Sequence, residues 1–163
     1  MKTEVSFSGE IMKRKDKEIT DTKVIEDIIC RSTVCRLALS ETNRPYIVPI
    51  CFGYKNRTLY VHSTREGKKI DILRKNNTVC VEFDVDHELV KADQACKWGM
   101  KYRSLICYGT ASFVDDDREK REALDVIMAH YATGSFEYNE RNLADSIVIK
   151  IEIESMTGKQ SGY

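Results

Sequence analysis

The sequence predicts a mainly β fold, in which an antiparallel sheet closes into a barrel with helices at its periphery. The chain shows about six strand-like segments and about three helical ones. Most of the strand-like segments are joined by turns of hairpin length, and no internal repeat is present. Parallel strands need long crossover connections, so a doubly wound sheet is disfavoured. The length of 163 residues allows one domain, residues 1–163, with residues 1–20 as an N-terminal arm.

The first half of the chain predicts one helix followed by three strands. Thr20 and Asp21 offer an N-cap for a helix, and its apolar face comprises Val24, Ile25, Ile28 and Ile29. The strands follow over CRLALS, YIVPICFGY (residues 46–54) and TLYVHS. Residues 41–45 and 55–57 separate them with the Asn and Pro residues typical of tight turns. Three strands with such short connections form a meander.

The second half predicts two helices and three more strands. A helix opens at Glu66 in EGKKIDILRKN, and the strand TVCVEFDV follows with alternating apolar residues. Residues 87–99 are irregular, and a strand runs from residue 102 to residue 114. Residues 115–117, all Asp, cap a long helix, and alternating isoleucines over residues 147–153 predict the last strand.

Charge and hydropathy argue against several classes of partner. Lys plus Arg number 26, as do Asp plus Glu, so the chain lacks the basic excess typical of nucleic-acid-binding proteins. The apolar runs are far shorter than a membrane span, and MKTEVSFSGEIMKRKDKE has no apolar segment typical of a signal peptide. We therefore expect a cytoplasmic protein with neither a nucleic-acid nor a membrane partner.

The six cysteines fit a reducing compartment. None lies in a C-x-x-C pair, the spacing that zinc ribbons and redox dithiols use. They are predicted to be small buried thiols, and we expect no metal site.

The segment YVHSTREGKK, residues 60–69, is the first of three that predict a ligand site. A strand ends at His62 and Ser63, and a helix begins with Lys68 and Lys69 in its first turn. A helix N-terminus presents free amide donors, whereas lysines normally favour the other end. Two lysines here would converge on a phosphate; the alternative is an exposed, charged helix start.

Two further segments suggest a planar ligand. Pro49 interrupts the strand YIVPI, which leaves neighbouring main-chain groups free to bind a flat ring; the alternative is an edge strand with a bulge. In ACKWGMKYRS, Trp98, Tyr102 and Arg103 offer stacking and charge for a planar anion. Alternatively, Trp98 only closes one end of the barrel.

Together these segments carry a resemblance to a known family. The series RLALS, RPYIVPICFGY, LYVHSTREGKKIDIL, VCVEFD, ACKWGMKYRSLICYGTA, EKREALDVIMAHY and TGK resembles the pyridoxamine 5'-phosphate oxidase-like flavoproteins. It is most similar to the nitroimidazole-resistance (Nim-type) branch, from about residue 12 to residue 159. The resemblance implies a split antiparallel β-barrel of the FMN-binding type, which forms a homodimer with FMN in two clefts at the subunit interface.

The resemblance also implies roles for individual residues. Arg36 would reach the FMN phosphate from a strand, and Lys68 and Lys69 would clamp that phosphate. His62 and Ser63 would lie beside the ribityl chain, with His62 matching a histidine assigned to catalysis in the Nim-type branch. The strand along the isoalloxazine ring would comprise Val48, Pro49 and Ile50, and the second subunit would contribute Trp98, Tyr102 and Ser104.

The function expected from this resemblance is that of an FMN-dependent oxidoreductase, which passes electrons from NADH or NADPH to a small acceptor such as a nitroaromatic. The C-terminal Arg- and His-bearing motif that holds pyridoxal phosphate in the true oxidase is missing, so vitamin B6 oxidation is disfavoured. No G-x-G-x-x-G fingerprint is present, so a nicotinamide would dock transiently over the flavin. The alternatives are a flavin-binding protein without turnover, acting as a sensor or store, and a split barrel that binds haem, another cofactor or none.

Overall fold

A computed structural model describes residues 13–163 of the chain. It has four α-helices, which are α1 (Thr22–Arg31), α2 (Lys68–Lys75), α3 (Asp117–Tyr131) and α4 (Glu140–Asp145). Its eight strands are β1 (Glu18–Ile19), β2 (Cys35–Glu41), β3 (Arg44–Ile50), β4 (Gly53–Lys55), β5 (Thr58–Thr64), β6 (Thr78–Val90), β7 (Gly99–Val114) and β8 (Ser146–Ser161). In residues 13–163, no helix is both long enough and apolar enough to cross a membrane.

The strands form one antiparallel sheet that rolls up without closing. Its order is β3-β2-β6-β7-β8-β5-β4, and β1 pairs with β8 outside this path. The two ends of the path, β3 and β4, follow each other along the chain but do not pair, so the ladder stays open. The split barrel is therefore confirmed, and the closed barrel predicted from strand count and turn length is wrong.

The core lies inside the rolled sheet and consists of the inward-facing side chains of the strands, which alternate with outward-facing ones. In β5, Leu59 and Val61 are buried while Tyr60, between them, faces outward. The same alternation buries Leu37 on β2 and Phe83 on β6. This is the burial expected of an antiparallel sheet with one face on the core.

The helices begin at capping residues that the sequence indicated. The side chain of Asp21 accepts a hydrogen bond from the Lys23 amide at 2.8 Å and so caps α1. The Asp116 side chain caps α3 in the same way. Helix α2 begins at Lys68, later than predicted, because Gly67 has a φ of 120°, a conformation that favours glycine.

Several predicted boundaries differ from the structure. The strand predicted over residues 46–54 is broken between β3 and β4. Residues 87–99 are less irregular than predicted, because β6 and β7 continue past a bulge after Val85 and form a long hairpin. The sequence did not predict α4. The arm predicted over residues 1–20 lies partly outside the described residues; within them, Ile19 on β1 is buried against β8.

The cysteines are less buried than predicted. Only Cys35 and Cys107 are buried, Cys80 is half-buried, and the other three are exposed, namely Cys30, Cys51 and Cys96. Burial raises the pKa of Cys35 to about 12 and also raises that of Cys107. All six thiols are free.

Candidate functional site

The split in the barrel lies between β3 and β5. Strand β4 pairs with β5 from Lys55↔Thr58 to Gly53↔Tyr60, and the pairing stops there. Had it continued, His62 would oppose Cys51 and Thr64 would oppose Pro49. Instead, the end of β3 (residues 48–50) and the end of β5 (residues 62–64) form the two edges of the split, which we call the β3 lip and the β5 lip. Their facing main-chain groups join no ladder within the described chain. Such unpaired edges are available to hydrogen-bond a flat ligand.

The turn at Cys51 and Phe52 holds the lips apart. The Phe52 amide leaves the ladder and donates a hydrogen bond to the Tyr131 hydroxyl at 2.9 Å. The Phe52 ring is fully buried and packs against Phe83 and His130, with centroid distances of 5.2 and 4.4 Å. Next to it, Gly53 approaches α3 so closely that a Cβ atom would lie 2.5 Å from a main-chain nitrogen. Helix α3 therefore sets where β3 ends and β4 begins.

The β3 lip carries the predicted ring-binding strand. Pro49 is exposed and points away from the core, whereas Val48 and Ile50 are half-buried and pack against it. Because β3 is an edge strand of the sheet, Pro49 removes no ladder hydrogen bond on the side of the split. Pro49 marks an edge, as its position in the sequence indicated.

The β5 lip presents His62 and buries Ser63. His62 is exposed on the same face as Tyr60, as the alternation of the strand predicts, and Ser63 lies on the core side at 9% exposure. Within residues 13–163 the His62 ring forms no hydrogen bond, so both ring nitrogens are available to a ligand.

Lys69 is a cation without a counter-charge. It lies in the first turn of α2, is half-buried, and forms neither an ion pair nor a hydrogen bond with any other described residue. Desolvation lowers its pKa. A partly desolvated ammonium beside free helix amides is an unfavourable arrangement that an anion would relieve.

Lys68 is engaged differently. Its ammonium pairs with the Glu41 carboxylate at the end of β2, which also accepts a hydrogen bond from Lys75 at 2.7 Å. Hydrogen bonds from Lys68 and then Lys75 hold the pKa of Glu41 at about 2. The two lysines of the predicted clamp are thus unequal, because only Lys69 lacks a partner.

Arg36 lies on the outward face of β2, opposite Pro49. Its guanidinium pairs with Asp84 and, at 3.2 Å, with Glu82. Arg36 and Glu41 stand at opposite ends of β2, about 17 Å apart along an extended strand. Within one chain, therefore, Arg36 lies at the other end of β2 from the Glu41 carboxylate that holds Lys68.

Trp98, Tyr102 and Ser104 lie far from His62 in the same chain. His62 pairs with Val148, which in turn pairs with Val114 at one end of β7, whereas Tyr102 lies near the other end. The intervening length of β7 spans about 40 Å when extended. Trp98 is 48% exposed, and its indole nitrogen donates to the Ala92 carbonyl at 2.6 Å. The structure places these three residues toward the Gly99 end of β7, far along the strand from their own chain's His62.

A cavity that the sequence did not predict adjoins His62. Its volume is about 190 Å³, and residues 137–146 form its far wall; the lining includes His62, Leu124, Glu137, Tyr138, Asn139, Asn142, Leu143 and Ser146. The available sequence signal was Asn139, which caps the short helix α4. Larger cavities of about 440 and 630 Å³ lie against α3 and contain none of the predicted site residues. Within residues 13–163, no cluster of His, Cys, Asp or Glu side chains is arranged to hold a metal ion.

A comparison with protein families decides the relationship. The model of the family described as pyridoxamine 5'-phosphate oxidase matches residues 21–160. The chain belongs to the pyridoxamine 5'-phosphate oxidase family. The matched region contains both lips of the split, the start of α2 and the cavity beside His62, so this family assignment covers the whole candidate site. No curated protein matches the chain.

Solved structures agree with the assignment to the pyridoxamine 5'-phosphate oxidase family. A candidate 5-nitroimidazole antibiotic resistance protein from Bacteroides thetaiotaomicron is 41% identical, with a TM-score of 0.80, over 88% of this chain and 86% of that one. A FAD- and haem-binding protein from Mycobacterium smegmatis has a TM-score of 0.82 at 21% identity, over 90% of this chain and 74% of that one. A flavocytochrome from Azotobacter vinelandii has the same TM-score at 16% identity, over 94% and 73%. The last two likenesses show the fold alone.

Proposed function

We propose that this protein binds FMN in the split and acts as an oxidoreductase that passes electrons from NADH or NADPH to a small acceptor such as a nitroaromatic. The observation that carries the proposal is Lys69, a half-buried ammonium without a partner in the described chain, at a helix start beside the split. The 41% identical protein from Bacteroides thetaiotaomicron, described as a candidate for nitroimidazole resistance, supports the choice of acceptor.

The residues at the split fit a flavin mononucleotide. The main chain of the β3 lip would meet the polar edge of the ring, and Lys69 with the α2 amides would hold the phosphate. His62 and Ser63 on the β5 lip would flank the chain between ring and phosphate. When bound, FMN would supply hydride chemistry that no protein side chain provides.

His62 is the proposed proton donor. In the net reaction, a hydride equivalent from NADH or NADPH and one proton convert a nitro group into a nitroso group, with release of water and oxidised nicotinamide. Imidazole groups exchange protons near neutral pH, and the His62 ring is exposed at the lip. Its role would be to deliver the proton at the acceptor.

A homodimer belongs to the same proposal. Trp98, Tyr102 and Ser104 lie too far along β7 to serve their own chain's site, so they would complete the site of the partner. Ile47 on the outward face of β3 is 62% exposed, and Tyr108 on the outward face of β7 is 44% exposed. A second subunit would cover such apolar surface. The cytoplasmic location predicted from the sequence also remains a proposal.

The first experiment is a visible absorption spectrum of the purified protein, with the released cofactor identified by chromatography. A flavin spectrum with FMN released is the expected result. A haem spectrum would favour the alternative suggested by the haem-binding relative from Mycobacterium smegmatis. If FMN is bound but neither NADH nor NADPH reduces it under anaerobic conditions, the enzyme hypothesis is rejected. The protein would then be a flavin-binding protein without turnover.

The second experiment tests His62. His62→Gln keeps a hydrogen-bonding side chain but removes the proton exchange. We expect FMN to stay bound while nitroaromatic turnover falls roughly a hundredfold or more, the range of general acid–base groups. The pH dependence of turnover should flatten as well. Unchanged turnover with an unchanged pH profile would show that His62 only contacts the cofactor.

A further inference from the structure

Lys159 on β8 is a second half-buried cation without a partner. Its ammonium forms neither an ion pair nor a hydrogen bond with any residue among 13–163. Apart from Lys69, every other buried or half-buried Lys or Arg side chain in this range has a partner; they are Lys17, Arg57, Lys101, Arg103, Lys120, Arg121 and Lys150. Lys69 and Lys159 are therefore the two partly desolvated ammonium groups that the described chain leaves without a counter-charge.

The strand register places Lys159 beside residues that are predicted to enter the partner's site. Lys159 pairs with Ser104 on β7, and Ser161 pairs with Tyr102. Paired residues of an antiparallel sheet project from the same face. Leu105 faces the core, so its neighbour Ser104 faces outward together with Tyr102, Lys159 and Ser161.

The nearest acidic side chains do not neutralise Lys159. Glu18 pairs with Lys159 in the β1–β8 ladder, but its exposed carboxylate forms no ion pair with any described residue. Asp84 lies beside Ser104 from the β6 side, and its carboxylate pairs with Arg36. The charge of Lys159 is therefore available to a ligand.

A second cation and a free hydroxyl group add to this surface. Lys17 donates to the Ser161 hydroxyl at 2.8 Å. The Ser104 hydroxyl, beside Lys159, forms no hydrogen bond within residues 13–163. Ammonium and hydroxyl donors side by side fit the oxygens of a phosphate group, which accept charge-assisted hydrogen bonds.

The position of Lys159 along β8 indicates which subunit it serves. Ser146 at the start of β8 pairs with Thr64, the strand end that leads to Lys69, whereas Lys159 lies near the other end of β8. In the proposed dimer, Tyr102 and Ser104 complete the site of the partner. Lys159 lies beside them on the same face, so it would enter the partner's site with them.

We propose that Lys159 is a further anion-binding residue of the flavin site, contributed by the partner subunit: its ammonium and the Ser104 hydroxyl bind phosphate oxygens there. This inference rests on the proposed function, because it adds a residue to the proposed flavin site. Two molecules of that reaction carry such oxygens, namely FMN in its phosphate and NADH or NADPH in its diphosphate.

The first test compares Lys159→Ala with the matched control Lys150→Ala. Lys150 is a half-buried lysine on the same strand, but it already pairs with Glu152 at 2.7 Å. The affinities of the apoprotein for FMN and riboflavin are measured by quenching of flavin fluorescence. The KM values for NADH and NADPH are measured on the FMN-loaded protein, and the urea midpoint is measured on the apoprotein.

We expect one of two results for Lys159→Ala. If the FMN phosphate is the ligand, FMN affinity should fall about tenfold or more while riboflavin affinity stays unchanged. If the nicotinamide diphosphate is the ligand, FMN affinity should stay and both KM values should rise by about the same factor. The urea midpoint should not fall, since no ion pair is lost, and Lys150→Ala should change no flavin affinity and no KM.

The second test asks which subunit Lys159 serves. A heterodimer of one Lys69→Ala chain and one Lys159→Ala chain is purified with two different tags. If Lys159 acts in the partner's site, one site keeps both lysines and the other site loses both. One of the two sites should then bind FMN with wild-type affinity and turn over with wild-type KM values. If Lys159 acted in its own chain, each site would lack one lysine, and no site would show both properties.

Three results would overturn the inference and leave the proposed function standing, provided that the wild type binds and reduces FMN. The first is a Lys159→Ala protein with unchanged FMN affinity and unchanged KM values. The second is an equal loss of affinity for FMN and riboflavin, which would mean that Lys159 supports only the fold or the dimer. The third is a heterodimer without a wild-type site. A wild-type protein that binds no flavin would overturn both.

Discussion

Lys69→Ala is the sharpest test of the phosphate site. A charge-assisted hydrogen bond contributes about 1.5–3 kcal/mol, so the loss of Lys69 should weaken FMN binding roughly ten- to 150-fold. The stability of the apoprotein to unfolding, by contrast, should not fall. Because Lys69 is partly desolvated and forms no ion pair in the described chain, its removal should leave the unfolding midpoint of the apoprotein unchanged or slightly raised.

Lys68→Ala is the matched control from the next position. Lys68 already pairs with Glu41 at the surface, a solvent-exposed contact that stabilises the free protein little. To reach a phosphate it must give up that contact, so its loss should weaken FMN binding less than the loss of Lys69. Binding is followed by quenching of flavin fluorescence, with FMN and riboflavin side by side. Riboflavin has no phosphate, so its affinity should not change.

Two results would refute this reasoning about the phosphate. Equal losses of affinity for FMN and riboflavin in Lys69→Ala would mean that Lys69 only supports the fold. A larger loss of FMN affinity for Lys68→Ala than for Lys69→Ala would mean that pairing in the free protein does not decide which lysine holds the phosphate.

Three further predictions concern the fold, the dimer and acid stability. Gly53→Ala should lower the free energy of unfolding, measured in urea, by about 1–3 kcal/mol or more, because the new Cβ would lie 2.5 Å from the α3 backbone. The control Gly99→Ala places its Cβ in open space and should change the free energy of unfolding by no more than about 0.5 kcal/mol. Trp98→Ala should weaken FMN binding and dimerisation together in sedimentation experiments, and a monomer with stoichiometric FMN would contradict the shared site. The Arg31 guanidinium, aided by Arg103, holds the pKa of Asp86 at about 2. The ionised Asp86 carboxylate therefore stabilises the folded protein fully above about pH 4, and this stabilisation is lost as the pH falls toward 2. The urea midpoint should fall from pH 4 to pH 2 more steeply for the wild type than for Asp86→Asn.

Local features of the fold followed from the sequence because they depend on neighbours along the chain. The Asp21 cap needs only the next two residues, and the placement of Leu59 and Val61 inside, with His62 outside, follows from strand alternation. The start of α2 at Lys68 was predicted within two residues, at Glu66, and the φ of Gly67 accounts for the shift.

The open barrel did not follow from the strand pattern. The residues from β3 to β4 appear as one continuous strand in the sequence, YIVPICFGY. The break depends on a hydrogen bond from Phe52 to Tyr131, which is remote in sequence, and on the contact of Gly53 with α3. Both contacts exist only once α3 has packed against the sheet.

The sequence by itself determined the family and the faces of the strands, and it predicted a set of residues around a phosphate and a ring. The tertiary structure alone decided which of those residues are free to bind. Lys68 and Lys69 are adjacent and chemically identical, yet one pairs with Glu41 and the other has no partner in the described chain. Asn142 showed no pattern in the sequence, and only the packing of α4 beside β5 places it in a cavity with His62. The physical reason is that charge pairing and cavity shape depend on distances between distant segments, whereas caps and alternation depend on adjacent residues.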